Sequence, residues 1–391
     1  MAKLPAYIGP AALGLKMGVV VPGSDLKGMI AEVVKQCHRD QLLADGDVLC
    51  ITESVLARAQ NNYVTTEEIA AELRERLELA PNARIGVLFP IASRNRFSMI
   101  LEAFASAVPQ GEVVVQLSWP RDEVGNQIIS EAFSSSLGKV YTDAITPQEL
   151  QGHSFKHPIT EIDYIDFYRQ VIQGQGPRAN IHLSNDPEYI LTLAPEAVII
   201  ADVHSRQRTQ QALQGKVKTL TLSDLCSSPQ RPAWSEWGLL GSNMSTENRI
   251  KLPPRDAAAF ARDVQREVAA LTGKAIEVII YGDGAYKDPT TQIYELADPQ
   301  PVFGATAGFA NAMREGYKYK YLADLYFHQG RSAEEIEEIL RQKHSISSPS
   351  QMEAEGTTPR RLEDVIASLA DLVSGSADAG TPLILVKGFL G

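Results

Sequence analysis

A buried strand that ends in charged residues is the feature that most constrains the fold of this chain. The apolar run Ile276–Ile280 has the length and the β-branched content of a buried strand. It stops just before the turn signal Asp283-Gly284, and Lys287 and Asp288 follow. In α/β proteins ligands commonly bind at such strand ends, and carboxylates there suit a hard divalent cation. We therefore take Asp283 and Asp288 as candidate metal ligands, with a solvated turn as the alternative reading.

Apolar runs alternate with amphipathic stretches, and this alternation predicts a mixed α/β fold. The predicted strands are Met17–Val21, Val48–Thr52, Arg84–Pro90, Glu112–Trp119, Lys139–Ile145, Ala197–Val203, Ile276–Ile280 and Pro382–Gly388. The predicted helices are Leu26–Arg39, Ile69–Leu79 (after a cap at Thr65), Pro254–Thr272, Ala305–Tyr326, Ala333–Gln342 and Arg361–Val373. The stretch from Pro81 to Trp234 has the pattern of an α/β unit of its own.

The composition argues against several classes of protein. A formal net charge of −11 disfavours proteins that wrap nucleic acid or lie on anionic membranes, because both need a basic surface. The three cysteines form no C-x-x-C pair, so we expect neither a disulfide framework nor a structural zinc site. No apolar run has the length of a membrane span and the start does not resemble a signal peptide, so we expect a cytoplasmic protein. Neither a G-x-x-x-x-G-K-[ST] phosphate loop nor a G-x-G-x-x-G that opens a helix occurs.

Polar side chains follow the predicted strands of the middle region. Arg94, Asn95 and Arg96 lie between a strand and a helix, where cations oppose the helix dipole and so fit a bound anion. Asp202 and His204 follow another strand. We take these five as candidate substrate-binding residues at one side of a cleft. For each residue alone, a solvated loop is the competing interpretation.

Five segments, in this order, resemble the coenzyme F-420-0:L-glutamate ligase family, whose members are γ-glutamyl ligases. The segments are Pro22–Ile30, Asp45–Gln60, Leu239–Pro254, Val278–Pro289 and Ala379–Gly388. The segment DGDVLCITESVLARAQ is the most specific of them, and the others are informative mainly as a set. The resemblance implies a γ-glutamyl-ligase-like core of mixed sheets made of residues 1–81 and 238–391. Residues 82–237 would then be an inserted α/β domain.

The resemblance also implies a nucleotide pocket. Glu53 and Ser54 match the family's Ser-Thr pair, Arg58 matches a lysine that contacts nucleotide, and Ser376 falls near an acidic residue of the last loop. The candidate cofactor-binding residues are Glu53, Ser54, Arg58, Ser376, Asp378 and Gly380.

Metal and catalytic residues are implied in the same way. Asp283 matches a metal-binding aspartate of the family, and the family's first metal-binding aspartate falls nearest Asn243. The candidate metal ligands are thus Asp283, Asn243 and Asp288, and the candidate catalytic residues are Asp283, Lys287 and Arg58. Arg58 and Lys287 would neutralise phosphate charge.

The expected activity is a ligase that forms an amide between L-glutamate and an acidic acceptor, by default coenzyme F-420-0. The resemblance implies GTP or ATP as co-substrate, Mg²⁺ or Mn²⁺ as cofactor, an acyl phosphate intermediate and a homodimer. Two alternatives stay open: a folate-type acceptor, and a non-catalytic protein that binds a nucleotide or metabolite on the same fold.

Overall fold

The structure is a computed structural model of the 391-residue chain. It describes residues 4–5, 7–157, 160–246, 248–283, 298–309, 313–314, 317–346, 352–353, 360–374 and 380–390. The strands are β1 Ala11–Leu15, β2 Val48–Thr52, β3 Tyr63–Thr65, β4 Arg84–Leu88, β5 Glu112–Leu117, β6 Arg178–Leu183, β7 Ala197–Ile200, β8 Lys218–Thr221, β9 Asn243–Thr246, β10 Arg249–Lys251, β11 Glu277–Tyr281, β12 Val302–Ala305, β13 Met313–Arg314, β14 Arg360–Arg361 and β15 Leu383–Lys387.

The helices cover the sheets and connect their strands. They are α1 Leu26–Arg39, α2 Glu53–Ala59, α3 Thr66–Leu77, α4 Ser98–Ala107, α5 Glu131–Ser136, α6 Pro147–Leu150, α7 Tyr164–Gly174, α8 Arg206–Leu213, α9 Ala257–Thr272, α10 Tyr319–His328, α11 Ala333–Ile346 and α12 Leu362–Ser374, with short 3₁₀ segments at Pro187–Leu193 and Ala307–Phe309. Within the described ranges, no helix combines the length and the apolar character needed to cross a membrane. The predicted mixed α/β fold is confirmed.

The first sheet is mixed, with the strand order β1-β15-β2-β11-β12. β2 and β11 are parallel neighbours, and the other pairs are antiparallel. Alternate residues of the central strands enter two cores: Leu49 and Ile51 pack with α1 and α9, whereas Val48 and Cys50 pack with α12. Because both faces are covered, β2 and β11 read as continuous apolar runs. The segments before residue 82 and after residue 237 therefore share this sheet.

The second sheet is parallel and has the strand order β6-β5-β4-β7-β8. The chain runs from β4 outward to β6 and then returns to the other side of β4 for β7 and β8. A sheet wound in this way has its switch point between β4 and β7, where ligands commonly bind beyond the carboxyl ends of the strands. Here the apolar side chains of Leu239 and Leu240 lie against that point and are almost fully buried with Ile91 and Phe97.

A small antiparallel sheet has the strand order β3-β10-β9. In the sequence, its strands come between strands of the two large sheets. It connects α2 to α3 and leads from the second sheet into α9. α3 packs on α4, so the apolar core around the second sheet extends to residues before position 82. The division of the chain at residues 81/82 and 237/238 stays a prediction.

Three sequence predictions of secondary structure are wrong. Residues 17–21 are not a strand; the strand is β1, and its partner β15 lies more than 360 residues away, so local pattern could not place it. Residues 139–145 form turns, because Asp143 accepts a hydrogen bond from the Val140 amide, and only Ile145 bridges to Leu183. The predicted helix at 305–326 begins at Tyr319.

Candidate functional site

The carboxyl ends of the two parallel strands in the first sheet bring Glu53 and Asp283 to one edge. Thr52 at the end of β2 is in register with Tyr281 at the end of β11, so both segments leave the sheet at the same level. Glu53 is the first residue of α2, and Asp283 lies two residues beyond β11. This pairing explains why two acids that are 230 positions apart in the sequence lie at the same edge.

The start of β15 lies at the same edge because β15 runs antiparallel to β2. The amide of Thr52 donates to the carbonyl oxygen of Pro382 at 3.1 Å. Gly380, two residues earlier, is exposed and has a φ of +92°, which favours glycine. Ser376 and Asp378, predicted to contact nucleotide, lie outside the described residues, as do Lys287 and Asp288.

Arg96, from the loop after β4, connects this edge to the second sheet. Its Nη1 donates to Oδ1 of Asp298 at 2.8 Å, and its Nη2 donates to Oδ2 of Asp283. The amide of Asp283 donates to Oδ2 of Asp298 at 2.9 Å. The side chains of Arg96, Asp298 and Asp283 are 19%, 4% and 33% exposed, so water screens the pair with Asp298 little and the pair with Asp283 more. One guanidinium therefore holds two carboxylates in place.

A buried tyrosine holds the loop that carries Arg96 in place. The Arg96 amide donates to Oγ of Ser93 at 3.1 Å, and the Ser93 amide donates to the hydroxyl of Tyr168 at 3.0 Å. Tyr168 is fully buried and donates its own proton to the carbonyl of Ile91 at 2.6 Å. The backbone position of Arg96 is thus fixed by the core of the second sheet.

A buried ion pair forms the other side of the site. Lys251 on β10 donates to Oε1 of Glu53 at 2.5 Å, and the two residues are 4% and 7% exposed. Oε2 of Glu53 is buried and has no hydrogen-bond partner among the described residues. Asn243 on β9 is directly opposite Lys251, and cross-strand partners point to the same face. Asn243, a predicted metal ligand, therefore lies beside this pair.

Two glycines leave the space that Asp298 occupies. A Cβ atom on Gly282 would collide with Oδ2 of Asp298 and with the ring of Phe303. A Cβ atom on Gly241 would lie 3.2 Å from Oδ1 of Asp298, and the φ of Gly241 is +75°. Side chains at either position would push Asp298 away from Arg96.

The electrostatics of the cluster favour a cation. Burial and, after it, the charge of Asp298 raise the pKa of Asp283 to about 7, although Arg96 opposes the rise. Burial likewise raises the pKa of Glu53, although Lys251 partly offsets this effect. Burial alone would lower the pKa of Arg96, but Asp298 and Asp283 hold it above its usual range. The three carboxylates outnumber the two cations, so the ionised cluster has one formal negative charge in excess.

A comparison with known protein families shows to which family the chain belongs. A family model described as F420-0:Gamma-glutamyl ligase matches residues 14–388. The chain belongs to the F420-0:gamma-glutamyl ligase family. No curated protein matches it.

The family match confirms the resemblance seen in the sequence and extends over residues 82–237 as well. Membership of the F420-0:gamma-glutamyl ligase family indicates a ligase that acts on small molecules. It does not by itself assign a role to any residue of the cluster.

Arg58 and Ser54, both predicted to contact nucleotide, lie on α2 with Glu53. Arg58 is exposed and Ser54 is half-buried. Five residues of helix turn the chain by about 140° beyond one full turn, so Arg58 points away from the buried face that holds Glu53. Their roles stay predictions.

The predicted substrate-binding residues of the second sheet do not form one group. Arg94 and Asn95 are exposed, whereas Arg96 is paired with the carboxylates, so the two arginines have different surroundings. The carbonyl oxygen of Asn95 accepts from the amide of Met244 at 2.7 Å and so links the loop to β9. His204 is exposed at the start of the segment before α8.

Asp202, at the carboxyl end of β7, is a buried acid with one unsatisfied oxygen. It is 1% exposed; Oδ2 accepts from Oγ1 of Thr209 at 2.7 Å, and Oδ1 has no hydrogen-bond partner among the described residues. Burial, with a smaller contribution from the charge of Glu123, raises the pKa of Asp202 to about 7, although the hydrogen bond from Thr209 opposes the rise. Glu123 accepts the amides of Val203 and Ser205 and thereby holds the start of this loop.

Asp202→Asn is expected to flatten the dependence of stability on pH. In the unfolded chain Asp202 loses its proton near pH 3.8, and in the folded chain near pH 7. Between these values the folded state binds more protons, so its stability falls as the pH rises. We expect the wild-type protein to lose about 1–3 kcal/mol more than the variant between about pH 5 and pH 8 in urea denaturation. Parallel curves for the two proteins would contradict this assignment.

Lys251 and Asp298 are the residues that sequence reasoning did not assign to the site. A signal existed for each. Lys251 lies between the apolar residues Ile250 and Leu252, and Asp298 ends an acidic segment. Neither signal indicates which residue the side chain pairs with, because that residue lies far away in the sequence.

Proposed function

We propose that this protein joins the amine of L-glutamate to a carboxylate of an acidic acceptor of the coenzyme F-420-0 type, driven by GTP or ATP and a divalent metal ion. The observation that carries the proposal is the cluster of Glu53, Asp283 and Asp298 at the carboxyl ends of β2 and β11, together with Arg96 and Lys251. Family membership supplies the reaction class.

The proposed chemistry has two steps. An oxygen of the acceptor carboxylate attacks the γ-phosphorus of the nucleotide, which forms an acyl phosphate and releases nucleoside diphosphate. The amine of glutamate then attacks the acyl carbon, phosphate leaves with the bonding electrons, and the amine gives up a proton to a base. Both steps concentrate negative charge near the phosphoryl group, so cations must be held there.

The donor set at the cluster fits Mg²⁺ or Mn²⁺. Carboxylate oxygens are the ligands that hard divalent cations prefer, and Oε2 of Glu53 is buried without a partner among the described residues. Glu53, Asp283, Asp298 and the amide oxygen of Asn243 are the groups that would hold the ion. A bound ion of this kind would neutralise phosphate oxygens. Among the described residues, no three His, Cys, Asp or Glu side chains form a group that could hold a metal ion as they stand, so the fit concerns the chemistry of the donors and not their geometry.

The chain's own residues supply orientation and charge. Lys251 fixes the side chain of Glu53, and the loop held by Tyr168 fixes the backbone of Arg96 beside the carboxylates. Arg58 and Lys287 stay proposed as partners of phosphate. The start of β15 at the same edge supports a nucleotide position near Gly380. A homodimer is part of the same proposal.

The decisive experiment combines nucleotide turnover with mass spectrometry. The full chain is incubated with GTP or ATP, Mg²⁺ or Mn²⁺, amine-labelled L-glutamate and either coenzyme F-420-0 or a folate. We expect one phosphate and one nucleoside diphosphate for each product, whose mass equals acceptor plus glutamate minus water and whose amide contains the labelled nitrogen. Nucleotide binding without any product from either acceptor would favour the non-catalytic alternative.

A further inference from the structure

We propose that Arg96 is the resident counter-ion of the carboxylate cluster and that a divalent cation binds by displacing its guanidinium from Asp283. The inference rests on the proposed function, because it concerns the same metal site. It assigns Arg96 a role that differs from the anion-binding role predicted from the sequence.

The contacts of Arg96 place a positive charge where a metal ion would bind. Both terminal nitrogens are engaged, one with Asp298 at 2.8 Å and the other with Asp283. Glu53 leaves the same edge of the first sheet as Asp283, because Thr52 is in register with Tyr281, and the charges of Arg96 and Asp298 both act on it. Its oxygen Oε2 is buried and has no hydrogen-bond partner among the described residues. Two carboxylates thus hold a cation directly, and a third has an oxygen without a partner among the described residues.

A guanidinium and a divalent ion compete for these oxygens for two reasons. An oxygen of Asp283 that coordinates a metal ion accepts a weaker hydrogen bond from Arg96, because the metal withdraws electron density from it, and like charges a few ångströms apart repel in a partly buried site. If Arg96, Lys251 and a divalent ion were all present, the formal charge of the cluster would change from one excess negative to one excess positive charge. Release of Arg96 from Asp283 relieves that excess.

Arg96 can leave, whereas Lys251 cannot. Arg96 lies on a loop, its side chain is 19% exposed, and its backbone is anchored independently through Ser93. Rotation about side-chain bonds alone can therefore carry the guanidinium toward solvent. Lys251 lies on β10 and is 4% exposed, so the pair that it forms with Glu53 is fixed by the sheet. Of these two cations, Arg96 is the exchangeable one.

The test measures Mn²⁺ binding in the full chain without nucleotide or substrate. Arg96→Met removes the charge and keeps the length of the side chain. By calorimetry or by the electron paramagnetic resonance of free Mn²⁺, we expect this variant to bind Mn²⁺ at least about tenfold more tightly than the wild-type protein. Its melting temperature should be lower without Mn²⁺ and should rise more steeply when Mn²⁺ is added.

Two controls separate this effect from a general change of charge. Arg96→Lys keeps the positive charge and should bind Mn²⁺ nearly as the wild-type protein does. Arg94→Met removes an exposed charge two residues away, and its affinity should stay within about twofold of wild type because exposed charges are screened. If Arg96→Met binds Mn²⁺ no more tightly than the wild-type protein, or if neither binds it at millimolar concentration, the proposal is wrong.

A second measurement uses only the wild-type protein, in case Arg96→Met does not fold. Phenylglyoxal modifies free arginine side chains, and peptide mass spectrometry gives the rate at each position. We expect Mn²⁺ to accelerate the modification of Arg96 several-fold and to leave that of Arg94 unchanged. Saturation with Mn²⁺ without a change at Arg96 would overturn the displacement. These assays measure Mn²⁺ binding and arginine modification, and no product is formed in them. Their outcome is therefore independent of whether ligase activity is found, and a failure of the displacement can be told apart from a failure of the proposed function.

Discussion

Asp283→Asn is expected to lower metal-dependent amide formation by about two to three orders of magnitude and to leave the chain folded. Asparagine keeps the shape of aspartate but lacks the charge that a divalent ion requires. The fold tolerates the change because Arg96 keeps its 2.8 Å bond to Asp298, and the amide of residue 283 still donates to that carboxylate. The measurement is the initial rate of product formation at saturating metal, with circular dichroism to verify folding.

The matched control for this prediction is Asp263→Asn. Asp263 is an exposed acid on α9 that pairs with Arg266, one turn along the same helix. Its replacement removes one negative charge from the protein without touching the cluster, so the rate should stay near that of the wild-type protein. If Asp283→Asn kept nearly full activity with the same metal dependence, Asp283 would be a turn residue and the site assignment would fail.

Local signals in the sequence predict part of this site. β2 and β11 are apolar runs covered on both faces, and each ends before an acid, so Glu53 and Asp283 could be proposed from pattern and resemblance. The capping residue Thr65 and the helices α1 and α3 follow from similarly local signals.

The contacts that complete the cluster could not be predicted from pattern. Arg96 meets Asp283 across 187 positions of chain, and Lys251 meets Glu53 across 198. Such pairs depend on how two sheets with separate cores come together. Sequence pattern predicts the same anion-binding role for both arginines after β4, yet the loop geometry pairs Arg96 with carboxylates and exposes Arg94. Burial, rather than residue type, distinguishes them.

Lys251→Met is expected to destabilise the protein by about 3–5 kcal/mol. The change leaves Glu53 buried without its cation, beside the negative charge of Asp298, and Oε2 of Glu53 already lacks a partner among the described residues. Glu53 must then take up a proton or remain an uncompensated buried charge. The measurement is the free energy of unfolding from urea denaturation near neutral pH.

A double variant tests whether the buried charge is the cause. Adding Glu53→Gln to Lys251→Met removes that charge, so the double variant should recover a large part of the lost stability, and the two changes should be strongly non-additive. Lys274→Met is the control: it breaks a pair with Asp45 in which both side chains are more exposed and the closest atoms are 3.5 Å apart, so little change is expected. Equal destabilisation of the single and double variants would mean that Lys251 acts through the packing of its aliphatic chain. In that case the ion pair between Lys251 and Glu53 would contribute little to stability.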